Sequence, residues 1–340
     1  MSEQFNYRSI LAPYMRGLLD LKASAGISAQ RMKWILKEFD DFAVSVKLTD
    51  PHITLRLIEE WRKTRLSDCD RTLYAKYSVW HQLTTMMSRR GCPCQIPKMP
   101  PQPKTDFTPY IFTKEEIASI FSACDAYRLY DVRMGTSLFT MPSLLRTLYG
   151  TGMRVSEALS IVNEDVHLDE KYIHLRKTKN GTERIVPISD SLHEVLVEYV
   201  TYREKMPTVG MSNSKHAFFV KADGTSIRPD AVYKFFRKML DQCGIPFMGT
   251  HNGPRVHDLR HTFAVHSLVQ MDHDGMDPYT GLPILSACLG HHSISATEQY
   301  VRLTYAMYPE MQKKCSPINA FVYPKICKAY DDNDRLCQVP

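Results

Sequence analysis

Four segments in the second half of the sequence carry side chains that could act together in a reaction. In order along the chain, these are Arg154 after a Thr-Gly-Met turn, the basic run 177–184, His257 with Arg260, and His291 with Tyr300. Guanidinium groups are planar and always charged, so two of them can clamp the oxygens of an anion with bidentate hydrogen bonds. A phenol, with a pKa of about 10, must lose its proton when it acts as a nucleophile. The set therefore suits chemistry on an anionic substrate.

A metal site is an alternative interpretation of part of this set. His257 and His261 stand at i and i+4, as the two histidines of a zinc-binding helix do. Asp258, however, replaces the glutamate that such helices use as a base, and Arg260 would place a cation beside the metal. We therefore predict no metal site, and a test for activity after chelation separates the two interpretations.

A glycine between two predicted helices must position His291 and Tyr300. The helix before Gly290 has an apolar face whose residues recur at i, i+3 and i+4, namely Leu285, Cys288 and Leu289. Gly290 is predicted to end this helix, because glycine is the usual residue at a helix C-cap. Ser293 or Ser295 is predicted to cap the next helix, which places Tyr300 near its start.

Helical periodicity, with one change of period, predicts the fold of the second half. Thr113 and Glu116 form a capping box at the start of a helix. Further helical patterns cover residues 137–151, 190–205, 229–243 and 258–270. Two short β runs, 172–175 and 184–188, flank Asn180-Gly181, a dipeptide typical of hairpin turns. We therefore predict a mainly α fold with a small β-hairpin or sheet, which is an α+β class.

The first hundred residues carry four helical patterns and end in a proline-rich stretch. Two helices fit within residues 8–47, a third covers 54–64 and a fourth covers 72–88, with Gly91 after it. Residues 92–109 contain six prolines and two lysines, which is typical of a stiff, extended linker. We predict a helical domain over 1–95, a linker over 96–110, and a second domain with a C-terminal tail over 111–340.

Composition and charge narrow the function classes. The net charge of +6 on 340 residues permits nucleic-acid binding but does not prove it. Cys92-Pro-Cys94 is a close pair without a second ligand pair at zinc-finger spacing, and nine scattered cysteines form no disulfide framework. No apolar run is long enough to span a bilayer, and the N-terminus has no apolar core typical of a secretory signal. We expect a cytoplasmic protein without a membrane partner.

The ordered set of residues resembles the tyrosine recombinase, or phage integrase, family over about residues 140–305. The resemblance implies that Tyr300 is the nucleophile and that Arg154 and Arg260 hold the scissile phosphate. It gives Lys179 the role of general acid, with Lys177 as the reserve candidate. The remaining family positions are a histidine pair and an acidic support for the first arginine, occupied by His257, His291 and Glu157.

The family's chemistry implies a DNA partner and no cofactor. Attack of tyrosine on a phosphodiester gives a covalent 3′-phosphotyrosine that retains the bond energy, so strands are rejoined without ATP or metal. The resemblance makes His257 the candidate base that accepts the phenol proton. The N-terminal helices would form the family's core-DNA-binding, SAM-like domain. Basic clusters are the predicted DNA contacts, namely Arg62, Lys63, Arg65, Arg89, Arg90, Lys177 and Arg184.

The resemblance also implies a biological role and an assembly. We expect a site-specific recombinase that integrates, excises or transposes a mobile element, acting as a homotetramer on double-stranded DNA and monomeric when free. Companion recombinases of the same element are expected partners, and the setting is a bacterial cytoplasm, with the protein on the nucleoid when bound. Two alternatives remain open at this point: a catalytically silent DNA-binding protein on the same fold, and a type IB topoisomerase.

Overall fold

The computed structural model describes residues 5–27, 29–103, 108–127, 135–176, 178, 181–249 and 253–308. The chain divides into two units, Met1–Asp106 and Phe107–Pro340. This division falls within the proline-rich stretch 96–110, which the sequence predicts to be a linker.

Among the described residues of the N-terminal unit there are four amphipathic helices, as the apolar periodicity predicts. They are α1 (Ala12–Ser24), α2 (Gln30–Ser45), α3 (Leu55–Lys63) and α4 (Asp70–Arg89). Their apolar faces meet around three large aromatic side chains, and the ring centroids of Phe39 and Trp80 lie 3.9 Å apart. Trp61 packs edge-on against Phe39 at 4.9 Å. Gly91 has a φ of 82° directly after α4, so the predicted glycine stop is confirmed.

The C-terminal unit is mainly helical. Its helices are α5 (Lys114–Ala126), α6 (Met141–Thr151), α7 (Val155–Ala158), α8 (Asp190–Glu204), α9 (Pro229–Gln242), α10 (Asp258–His273), α11 (Pro278–Leu289) and α12 (Ser295–Met307). Short 3-10 helices precede α6 at Leu138–Thr140 and follow α7 at Asn163–Asp165. The capping box at the start of α5 is confirmed, because Thr113 Oγ1 accepts from the Glu116 N–H at 3.1 Å and Glu116 Oε2 accepts from the Thr113 N–H at 2.9 Å.

A small antiparallel sheet completes this unit. Its strands are β1 (Val166–His167), β2 (Tyr172–Leu175) and β3 (Arg184–Pro187), in the order β1-β2-β3. The pairing of β2 with β3, in which Leu175 stands opposite Arg184, confirms the predicted hairpin strands. The two-residue strand β1 was not predicted. The mainly α fold with a small sheet is confirmed.

Helix α10 carries Arg260, begins directly after His257, and packs next to the elements that carry other predicted site residues. It packs against α6, α11 and α12, and its apolar side chains Leu259, Ala264, Val265 and Leu268 are fully buried. A polar contact also fixes its start, since Thr262 Oγ1 accepts from the backbone N–H of Phe112 at 3.0 Å. Residues on α10 therefore keep fixed positions relative to the ends of three neighbouring helices.

The turn between α11 and α12 follows the prediction in part. Gly290 ends α11 in a left-handed conformation with a φ of 65°, as predicted. The predicted serine cap of α12 is wrong, because the N-cap residue is Ile294 and no side chain caps this end. Within the described residues, none of the helices combines the length and the apolar character that crossing a membrane requires.

Candidate active site

The carboxylate of Glu157 joins two arginines from different elements. The left-handed Gly152, with a φ of 63°, ends α6, and α7 begins three residues later with Arg154 as its N-cap. Glu157 Oε2 accepts from the Arg154 backbone N–H at 2.9 Å, and Oε1 accepts from Arg154 Nη1 at 2.8 Å. Arg184 of β3 donates to the same carboxylate from Nη2 at 2.8 Å and from Nη1 at 3.2 Å. The sheet is thereby attached to the start of α7.

Glu157 is held as a buried anion by these two arginines. Its residue surface is only 1% exposed. Burial alone would raise the pKa of Glu157, but hydrogen bonds and charge from Arg184 and Arg154 outweigh it and lower the pKa to about 2. The carboxylate is therefore ionised at neutral pH and fixes the orientation of Arg154.

The sequence predicted that Arg184 contacts DNA, and the structure gives its side chain a different place. The guanidinium is buried, with 8% of the side chain exposed, and its Nε donates to the backbone oxygen of Cys288 at 2.8 Å. With its remaining bonds directed to Glu157, the group connects β3 to the end of α11. We therefore assign Arg184 to the support of Arg154 instead of to DNA contact.

Arg260 is held by the carboxyl ends of two helices. Its Nη1 donates to the oxygen of Gly152 at the end of α6 at 2.8 Å, and its Nη2 donates to the oxygen of Leu289 at the end of α11 at 2.7 Å. Helix ends of this kind carry unpaired carbonyls and a partial negative charge, which stabilises a cation. Burial, and next the charge of Arg154, lower the pKa of Arg260 to about 10, so the guanidinium stays charged at neutral pH.

The arginines leave an excess of positive charge in the site. Arg154, Arg184 and Arg260 contribute three guanidiniums, and Glu157 is the one carboxylate that the hydrogen bonds of the described residues place on them. Carbonyl oxygens hold Arg260 without cancelling its charge. An anionic group is the ligand that this arrangement favours electrostatically.

Tyr300 lies against this charged cluster. It is 1% exposed, and its ring packs in the apolar core with Leu289 and Val301. The hydroxyl oxygen lies 2.8 Å from His261 Nδ1. Burial raises the pKa of Tyr300, whereas the charges of Arg260 and Arg154 act to lower it. Burial is the larger influence, so the pKa of Tyr300 is raised overall, and the nearby guanidiniums offset part of the cost of forming the phenolate that an attack by Tyr300 requires.

The two histidines that the resemblance singled out lie next to residues of this cluster. His291 stacks on the Tyr300 ring with centroids 6.3 Å apart, and its Nδ1 is 2.8 Å from Thr297 Oγ1. Burial, and next the charge of Arg260, lower the pKa of His291 to about 4, so the ring is neutral at pH 7. His257 is exposed at the N-cap of α10, and its ring lies 4.9 Å from that of His261.

His261 is the residue of the site that sequence reasoning missed. The sequence gives it a role only in the alternative zinc interpretation with His257, whereas the structure joins it to Tyr300. Burial, and next the charge of His257, lower the pKa of His261 to about 3. The i, i+4 spacing located both histidines on one helix face, but no sequence signal connects His261 with a tyrosine 39 residues further along. Within the described part of the chain, no group of three or more His, Cys, Asp or Glu side chains could hold a metal ion.

The remaining predicted residues lie outside this cluster or outside the described residues. Lys177 and Lys179 belong to the second group. The five basic residues predicted to contact DNA from the N-terminal unit lie on or next to α3 and α4, namely Arg62, Lys63, Arg65, Arg89 and Arg90. Lys63, Arg89 and Arg90 are exposed, whereas Arg65 Nε lies 3.2 Å from Glu38 Oε1.

Comparisons with known proteins identify a family and relatives of this chain. The model of the phage integrase family matches residues 111–307. The integrase/recombinase y4rB of Sinorhizobium fredii is 29% identical over 286 residues, which cover 81% of this chain and 86% of the relative. The tyrosine recombinase XerD of Oceanobacillus iheyensis is 30% identical over 203 residues, covering 59% of this chain and 63% of the relative.

A solved structure shares the fold at low sequence identity. It is the Tn1549 transposon integrase in complex with circular intermediate DNA, which superposes with a TM-score of 0.59 at 17% identity. The match covers 84% of this chain and 94% of that chain.

Proposed function

Because the chain belongs to the phage integrase family, we propose that it is a site-specific DNA recombinase that cuts and rejoins strands through Tyr300. The observation that carries this proposal is the place of the Tyr300 hydroxyl, next to the charges of Arg260 and Arg154 and bonded to a neutral imidazole. A tyrosine in a site with excess guanidinium charge fits attack on a phosphodiester.

The reaction follows from the positions of these groups. As the bond from Tyr300 Oη to phosphorus forms, the bond from phosphorus to the 5′ oxygen breaks, which leaves DNA joined to the protein as a 3′-phosphotyrosine. Negative charge grows on the non-bridging oxygens, where Arg154 and Arg260 stabilise it. Since Glu157 and two helix ends hold these arginines before DNA arrives, little reorganisation is needed during attack. The phenol proton passes from Tyr300 to an imidazole nitrogen of the site, and the departing 5′ oxygen takes up a proton.

Lys179 is the proposed donor of that second proton, with Lys177 as the alternative. Both follow β2 in the sequence, and the partner strand β3 carries Arg184, which binds Glu157. The two are distinguished by replacing each with methionine and offering DNA with a 5′ sulfur leaving group, which needs no proton. Only the variant of the true general acid should recover its cleavage rate with the sulfur substrate.

Double-stranded DNA is the proposed partner, and a mobile element is its proposed source. The similarity to a transposon integrase and to an integrase/recombinase supports a role in integration, excision or transposition. The exposed cations Lys63, Arg89 and Arg90 are the proposed phosphate contacts of the N-terminal unit, which makes binding weaken steeply with salt. We propose a homotetramer on DNA, because recombination must pair two duplexes, with companion recombinases as further partners.

Covalent trapping tests the proposed function. The full chain is incubated with duplexes from the ends of the element that encodes it, each nicked so that the short strand with the free 5′ hydroxyl dissociates after attack. EDTA is present throughout. We expect an adduct on denaturing gels with the wild type and none with Tyr300→Phe, whereas Tyr305→Phe, a control on the same helix, should form the adduct.

Each other outcome favours a different function. DNA binding without an adduct would favour the silent DNA-binding protein on this fold, and relaxation of supercoiled DNA without site preference would favour the topoisomerase. An adduct that persists in Tyr300→Phe would assign the nucleophile to another residue. An adduct that forms only when EDTA is left out would contradict the metal-independent mechanism.

A further inference from the structure

The hydroxyl of Tyr300 has a hydrogen-bond partner to which the family resemblance gives no role. His261 Nδ1 lies 2.8 Å from Tyr300 Oη, while His257, the histidine that the resemblance favours as a base, lies one helical turn earlier and is exposed. His261 directly follows Arg260 on α10. One helix therefore carries both the guanidinium that is proposed to stabilise the scissile phosphate and the imidazole that contacts the nucleophile.

The direction of this hydrogen bond follows from the groups around it. Arg260 and Arg154 can only donate hydrogen bonds, so neither can accept the proton of the phenol. A neutral imidazole has one nitrogen with a free lone pair, and burial beside His257 and Arg260 keeps His261 neutral. The phenol O–H is thus directed to Nδ1, with the proton of the imidazole on Nε2. The lone pairs of the phenol oxygen are left for the guanidiniums and for phosphorus.

We propose that His261 is a positioning residue for Tyr300, which accepts the phenol O–H at Nδ1 and thereby orients the oxygen lone pairs for attack on the scissile phosphate. This inference rests on the proposed function. It assigns this role to the position after the second arginine, one helical turn beyond His257. The Nδ1 of His291 is engaged by a different partner, because it lies 2.8 Å from Thr297 Oγ1.

Two substitutions of His261 separate orientation from packing. His261→Leu fills similar space without an acceptor, so we expect adduct formation at saturating nicked DNA to slow about 100-fold, with the half-saturating DNA concentration unchanged. His261→Asn places an amide oxygen near the position of Nδ1 and should recover a rate within about tenfold of the wild type. His273→Leu, the same change at an exposed site on the same helix, is the control and should have the wild-type rate.

A measurement without DNA tests the hydrogen bond itself. Nitrogen NMR of the full, DNA-free chain should show His261 as the tautomer with its proton on Nε2, and the Nδ1 signal should move in Tyr300→Phe. A proton on Nδ1, or a signal indifferent to Tyr300→Phe, would overturn the inference. So would equal rates for His261→Leu and the wild type.

The design keeps the two proposals distinguishable. A wild type that forms an adduct, together with an equally fast His261→Leu, overturns the positioning role alone. A wild type that binds these duplexes but forms no adduct overturns the proposed function and the positioning role with it. If both variants slow equally and their thermal unfolding midpoints fall in parallel, His261 acts in packing only, and the positioning role is refuted.

Discussion

Neutralising Glu157 should destabilise the C-terminal unit by about 3 kcal/mol at pH 7. The pKa of Glu157 falls from 4.5 to about 2 on folding, which corresponds to about 3 kcal/mol at 1.36 kcal/mol per unit. Breaking a buried ion pair by removing one partner costs about 3–5 kcal/mol, which is the same range. In Glu157→Gln the amide nitrogen would face the donors of Arg154 or Arg184, so one guanidinium loses its acceptor.

The pH dependence of this effect has a defined sign. Because the folded-state pKa is depressed, the contribution of Glu157 is fully present above about pH 4.5 and is lost as the pH falls toward about 2. The difference in unfolding free energy between the wild type and Glu157→Gln should therefore narrow across this window. Near pH 7 this difference in unfolding free energy should not change with pH.

Urea unfolding of the full chain measures this difference. Far-UV circular dichroism follows both units, whereas tryptophan fluorescence follows the N-terminal unit, since that unit contains Trp34, Trp61 and Trp80, the three tryptophans of the sequence. The circular dichroism transition should move to lower urea in Glu157→Gln while the fluorescence transition changes less. Glu198→Gln, at an exposed glutamate of α8, is the matched control and should stay within about 0.5 kcal/mol of the wild type. A loss below about 1 kcal/mol in Glu157→Gln would refute the reasoning, because it is too small for a buried pair.

Three further substitutions test other parts of the site. Gly152→Ala should lower the thermal unfolding midpoint and cost about 1–3 kcal/mol, because the new methyl carbon would lie 2.3 Å from a Phe263 ring carbon at a φ of 63°; an unchanged midpoint would contradict this. Arg260→Lys should slow adduct formation about 100-fold or more, because one ammonium group cannot replace a guanidinium that binds the carbonyl oxygens of two helix ends. Near-normal cleavage with DNA binding retained would contradict this prediction. Since the pKa of His291 falls to about 4 on folding, its contribution to the free energy of unfolding should be complete above about pH 6.5 and decrease as the pH falls toward 4. In His291→Gln, the unfolding free energy measured in urea should depend less steeply on pH over this range. An equally steep dependence would exclude His291 as its source.

Local signals in the sequence account for most of the fold that was predicted. The capping box at Thr113 and the glycine stop at Gly290 act within a few residues, so the sequence alone determines them. The four N-terminal helices follow from apolar periodicity for the same reason. Strand β1 was missed because it has only two residues, which is too short for an alternating pattern. The serine cap of α12 was wrong because several polar residues could cap there and the chain enters the helix at Ile294.

The sequence predicted which residues belong to the candidate site more fully than it predicted the contacts between them. Residue types and order brought Arg154, Arg260, His291 and Tyr300 together, and the structure places them in one region of the C-terminal unit. Partners across long sequence distances were not predictable. Arg184 resembles any surface cation of a hairpin until β3 is placed against Glu157 and the end of α11.

The attachment of Arg260 to carbonyl oxygens has a consequence for inhibition. A guanidinium neutralised by a carboxylate must exchange one anion for another when substrate arrives, whereas Arg260 needs to release none. The positive charge of Arg260 is then available in the DNA-free site. Small oxyanions of phosphate-like shape should therefore compete with the scissile phosphate for this site. Vanadate, which can adopt the five-coordinate geometry of the transition state, and tungstate, a tetrahedral analogue of phosphate, are suitable first compounds for occupying it.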